Sequence, residues 1–78
     1  MIENIRTIVS LILENKNKKL SYDISPETRL REDLGFDSLD LAEFTVRIEE
    51  KYNIDIFEEG ILNTIGEVIG KIEPNQVR

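Results

Sequence analysis

The chain contains no cysteine and no histidine. Without cysteine there is no disulfide and no thiol of its own, so any sulfur chemistry has to be brought in from outside. Without either residue, the common zinc sites, the Ser-His-Asp triad and the Cys-His dyad are all excluded. Long hydrophobic runs are missing too. None approaches the about 20 residues that a membrane span requires, and Met1-Ile2-Glu3 lacks the basic-then-apolar layout of a secretory signal. Positive charge is in short supply: 10 Lys and Arg against 16 Asp and Glu give a net charge of -6 at pH 7. That balance argues against gripping nucleic acid through its phosphates and for a basic partner. A cytoplasmic monomer with no membrane span and no nucleic-acid partner is expected.

What is present suits a folded domain. The 78 residues are 40% hydrophobic and 33% charged, which fits a single domain over 1–78 with a modest core. A domain of this size buries only about 60% of its unfolded surface. The charge is uneven along the chain. Met1 to Arg31 carries +2, Glu32 to Glu59 carries -8, and Gly60 to Arg78 is neutral. The middle third therefore holds all of the excess negative charge, either as an ordinary solvated surface or as an electronegative docking face.

Hydrophobic spacing divides the chain into helices. Ile2, Ile5, Ile8, Val9 and Ile12 form one stripe at a period near 3.6, predicting a helix over 2–15. The polar run Asn15 to Lys19 ends it. Residues 16–37 have no sustained period, so a long first loop is expected, pinned to the helices by Leu20, Tyr22, Ile24, Leu30 and Leu34, with a turn or helix start at Ser25-Pro26. Leu41, Phe44, Thr45, Ile48 and Tyr52 give the core face of a second helix over 38–52. Leu39, Ala42 and Val46 make a separate, acid-rimmed apolar strip on that helix, the kind of strip that serves as a contact surface. A short fourth helical element is expected over 56–62, although Gly60 opposes it. Thr64 and Glu67 have the spacing of a capping box, and Ile65, Val68, Ile69 and Ile72 continue it into a helix expected to stop before Pro74, with 75–78 frayed. Gly66 and Gly70 predict a bare strip where this helix meets another. The fold class is all-α: a small four-helix bundle of three main helices and one short one.

No catalytic set assembles. The acid pairs Asp37 with Asp40, Glu49 with Glu50 and Glu58 with Glu59 read as solvated helix-surface carboxylates, and none has calcium-loop spacing, so no metal site is expected. Ser38 stands out by position, in Asp33-Leu34-Gly35-Phe36-Asp37-Ser38-Leu39-Asp40 at the junction of the long loop and the second helix. As plain structure, Asp37 is an N-cap, Asp40 is its partner at the third helical position, and Gly35 supplies the preceding turn.

The extended segment resembles the acyl carrier protein family. The likeness runs through Leu30, Glu32-Asp33-Leu34-Gly35, Asp37-Ser38-Leu39-Asp40, Ile48-Glu49-Glu50-Lys51-Tyr52, Ile54-Asp55-Ile56 and Thr64-Ile65-Gly66-Glu67-Val68. It implies a non-enzymatic carrier whose Ser38 takes a covalent 4′-phosphopantetheine arm from coenzyme A. It implies service in fatty acid, polyketide or related biosynthesis, with cargo held as thioesters. The implied partners are a phosphopantetheinyl transferase and the acyl-loading, synthase and transferase enzymes that present basic docking patches. The implied contact residues are Asp37, Leu39, Asp40, Ala42, Glu43, Val46, Glu49 and Glu50. Phe36 stands where many fatty-acid carriers have a smaller residue, and Arg47 interrupts an otherwise anionic helix, so an aminoacyl or peptidyl carrier is an open alternative. A non-covalent acidic adaptor is another. A further expectation is that Ile8, Ile12, Phe44, Ile48, Ile65 and Ile69 part to shelter an acyl chain.

Overall fold

The computed structural model describes residues 1–20, 23–58 and 60–76, with the side chains of 75 and 76 left aside. Three helices form: α1 (Ile2–Asn15), α2 (Ser38–Tyr52) and α3 (Ile65–Gln76). The first two match the bounds expected from spacing. Ile5, Ile8, Val9, Ile12 and Leu13 of α1 are buried in one core cluster with Leu41, Phe44 and Ile48 of α2 and Ile65, Val68 and Ile72 of α3. Burial of the isoleucines and valines among them stabilises helices whose intrinsic propensity is modest.

The end of α1 is fixed by an asparagine rather than a glycine. Asn17 is left-handed, at φ 59. Its N–H donates to Glu14 O at 3.0 Å, and the N–H of Lys18 reaches back to Leu13 O at 2.8 Å. This pairing satisfies carbonyls that the helix end would leave open, and it places Lys16 at the C-cap. The long connection that follows is pinned as expected: Ile24, Leu30 and Leu34 are buried and Leu20 half-buried, while Tyr22 lies outside the described residues. Phe36 joins them, its ring tilted against Phe44 with centroids 5.9 Å apart.

The same connection is strapped to the start of α3. Leu30 N–H donates to Asn63 O at 2.8 Å, Ile65 N–H to Thr28 O at 2.9 Å, and Gly66 N–H to Pro26 O at 2.8 Å. An isolated antiparallel bridge joins Arg29 to Thr64. Gly66 is required here, because a Cβ would fall 2.9 Å from Pro26 O. The close approach expected for the two glycines is thus made to the loop by Gly66 alone; nothing lies within 4 Å of a Cβ on Gly70.

Two boundaries differ from the sequence expectation. No fourth helix forms over 56–62 among the described residues; Ile56 to Glu58 make a turn. Asp55 Oδ1 takes the N–H of Phe57 at 3.0 Å, and Gly60 sits at φ 134, so local side-chain bonding and a left-handed residue displace the helix. At the other boundary, α3 does not stop before Pro74 but contains it. The ring's fixed φ suits a helix, and near a C-terminus the missing N–H costs one bond among carbonyls already left open. The fraying expected from Asn75 onward is therefore not observed at 75 and 76, which are helical, while 77 and 78 fall outside the described residues.

Candidate functional site

Ser38 is exposed as the first residue of α2, and among the described residues no group hydrogen-bonds its hydroxyl. The helix starts there because Asp37 caps it. Asp37 Oδ1 accepts the N–H of Asp40 at 2.9 Å, and Asp40 Oδ2 accepts the N–H of Asp37 at 2.9 Å. The two acids thus close a reciprocal capping box around the serine. The remaining first-turn N–H groups and the helix dipole leave this end electropositive along the backbone, which suits a phosphate ester.

The capping box is not an isolated local device. Lys16 Nζ donates to Asp40 Oδ2 at 2.6 Å and to Gly35 O at 3.2 Å. Gly35 is left-handed at φ 73, in the turn that brings the loop into α2. Burial pushes the Asp40 carboxyl toward its neutral form, but the bonds from Lys16 and from the Asp37 N–H outweigh it and hold the group below its usual value of 3.8. The bond to Asp40 in turn raises the Lys16 ammonium above its usual 10.5.

The expected contact residues divide into two sets. Leu39 is 81% exposed and Val46 52%. Ala42, between them on the same strip, is exposed, as are Asp37, Glu49 and Glu50. Asp40 departs from that face: only 7% exposed, it points inward to Lys16. Glu43 is half-buried and engaged. It accepts from Arg47 Nε at 2.9 Å and from Asn15 Nδ2 at 3.3 Å, so much of its charge is offset. The Glu43–Arg47 pair was findable from its i, i+4 spacing. The Lys16–Asp40 pair, 24 positions apart, had no local signal. Ile61, 65% exposed, was not singled out in the sequence.

The residues expected to part around an acyl chain are mostly closed core. Ile12, Phe44, Ile48 and Ile65 are fully buried and Ile8 nearly so, with Ile69 packed against them. A pocket of about 260 Å³ lies elsewhere, against Leu13, Leu20 and Leu34 with Lys18 and Lys19. Among the described residues no group of three His, Cys, Asp or Glu could hold a metal ion. None of the helices described is long and apolar enough to cross a membrane.

The family model described as the phosphopantetheine attachment site matches residues 3–72. The chain belongs to the acyl carrier protein family. It is 38% identical over 73 residues to the acyl carrier protein of Helicobacter pylori, covering 90% of this chain and 91% of that one. Against the acyl carrier protein of Phytoplasma australiense it is 35% identical over 77 residues, 96% of both chains. Against that of Wolinella succinogenes it is 41% identical over 56 residues, 69% of this chain and 74% of the relative. No solved structure matches the chain. An acyl carrier protein is a carrier and not an enzyme, and its prosthetic group is phosphopantetheine. The residues present suit such a group. An exposed, unbonded hydroxyl stands at the positive end of a helix, and the carboxylates nearest to it in sequence are occupied, Asp37 by a backbone N–H and Asp40 by an ammonium.

Proposed function

We propose that this acyl carrier protein is a monomeric domain that carries acyl intermediates on a 4′-phosphopantetheine arm joined to Ser38 Oγ. It works in the cytoplasm, in fatty acid, polyketide or related biosynthesis. The observation that carries this reading is the exposed, unbonded Ser38 hydroxyl at the start of α2, beside an outward strip of Leu39, Ala42 and Val46. When bound, the arm supplies the thiol that a chain without cysteine lacks.

The protein's own residues have three tasks. Asp37 and Asp40 hold the helix start so that the serine is presented. Leu39, Ala42 and Val46 give an apolar patch for the transferase and the acyl-handling enzymes to cover. Asp37, Glu49 and Glu50 steer basic patches toward it, raising the encounter rate more than the affinity. Glu43 contributes less, since Arg47 offsets it, and Asp40 acts through local structure. Incubation of the apo-protein with coenzyme A and a phosphopantetheinyl transferase is expected to add about 340 Da. No gain, or the same gain in Ser38→Ala, contradicts the proposal.

A further inference from the structure

Lys16 connects two parts of the chain that meet at the serine. It stands at the C-cap of α1, where the left-handed Asn17 ends the helix. From there its ammonium grips the loop before Ser38, through Gly35 O at 3.2 Å, and the helix after it, through Asp40 Oδ2 at 2.6 Å. The same Oδ2 accepts the N–H of Asp37. One cation therefore spans both flanks of the hydroxyl and braces the box that starts α2. It also neutralises a carboxylate in the turn where an anionic phosphate has to approach, a placement that matters because like charges close together are costly.

We infer that Lys16 is a positioning residue for modification of Ser38: it fixes the 35–40 segment in the geometry that presents the hydroxyl and cancels the charge of Asp40 against the incoming phosphate. The inference rests on Ser38 being the attachment residue. A lysine suits the task because a compact ammonium can donate to a carbonyl and a carboxylate at once.

The test compares wild type, Lys16→Met, Lys16→Arg and Asp40→Asn. Each is incubated with coenzyme A and a phosphopantetheinyl transferase at a temperature where circular dichroism shows it fully folded. Initial rates are read by intact mass, and amide exchange is followed at Asp37 to Asp40. Lys16→Met is expected to lose about tenfold in kcat/KM, mostly in kcat, with faster exchange confined to that segment. Lys16→Arg is expected to recover most of the rate. Asp40→Asn, which keeps an oxygen for the Asp37 N–H but loses the ion pair, is expected to fall between them, and it carries the test if Lys16→Met does not fold. Wild-type rates in folded Lys16→Met, or unchanged exchange at 37–40 in either Lys16→Met or Asp40→Asn, overturn the inference while leaving the attachment reading intact. Absence of any mass gain in wild type overturns both.

Discussion

Two helices in this carrier begin with the same device, and they use it differently. At α3, Thr64 Oγ1 accepts the N–H of Glu67 at 3.1 Å, and Glu67 Oε1 returns to the N–H of Thr64 at 2.9 Å. That box is local, and Glu67 is exposed. At α2 the returning acid, Asp40, is buried and drawn onto a lysine 24 positions earlier. The side chains of the α3 box bond only within 63–67, and the tie of Thr64 to the loop at Arg29 is made by backbone. The α2 box joins the end of α1, the turn at Gly35 and the start of α2 into one unit around Ser38. A surface cap starts a helix; a buried, ion-paired cap also fixes where that start sits relative to the rest of the domain.

Acidification, which neutralises the returning acids of both boxes together with Asp33, has the largest expected effect. Bonds from Arg29 hold Asp33 below 3.8, and backbone N–H groups hold Glu67 below 4.5. Asp40 is also below 3.8, burial opposing and Lys16 prevailing. A carboxyl depressed in the folded state stabilises it above the unfolded pKa and loses that contribution as pH falls through the folded value. Lys16, raised above 10.5, has the opposite sign: its contribution is complete below 10.5 and lost at still higher pH. The melting temperature, followed by circular dichroism, is therefore expected to stay level from about pH 5 to about pH 10 and to fall steeply below about pH 4. A rise on acidification contradicts the pairing.

Single substitutions separate the two boxes. Asp40→Ala removes a buried acceptor serving both a backbone N–H and Lys16, and is expected to cost about 2 kcal/mol in urea unfolding. Thr64→Ala removes one hydroxyl cap and is expected to cost about 1 kcal/mol. Equal losses would mean that the tie to Lys16 adds nothing. The smallest expected effect on stability is at Leu39→Ser, within about 0.5 kcal/mol because the side chain is already in water. Its effect belongs instead to partner enzymes, read as a raised KM in arm transfer. A large loss of stability there would show that the strip is structural.

These contrasts mark what the sequence could disclose. The stripes of α1 and α2, the Asp37 cap and the Thr64–Glu67 box all depend on neighbours within a turn or two, and each was legible at its correct position. Asn17 in a left-handed conformation was hidden in a polar run that only signalled an ending. Segment 56–62 had enough apolar residues for a helix, but the Asp55 side chain and Gly60 oppose one, and Ile56 to Glu58 make a turn instead. Pro74 looked like a stop, yet it costs little in a last turn. Asp40 read correctly as the capping partner of Asp37, but its burial and ion pair went unseen because Lys16 lies on another helix's cap, and long-range pairing leaves no periodic trace. The exposure of Ser38 was legible because the cap that starts its helix is local.

The most direct test of the carrier account is to locate the added mass. Trypsin cleavage after Arg31 and Arg47 releases residues 32–47, in which Ser38 and Thr45 are the only hydroxyl side chains. After treatment with coenzyme A and a phosphopantetheinyl transferase, tandem mass spectrometry is expected to place the addition of about 340 Da on Ser38. Finding it on Thr45 or on any other peptide would contradict the account.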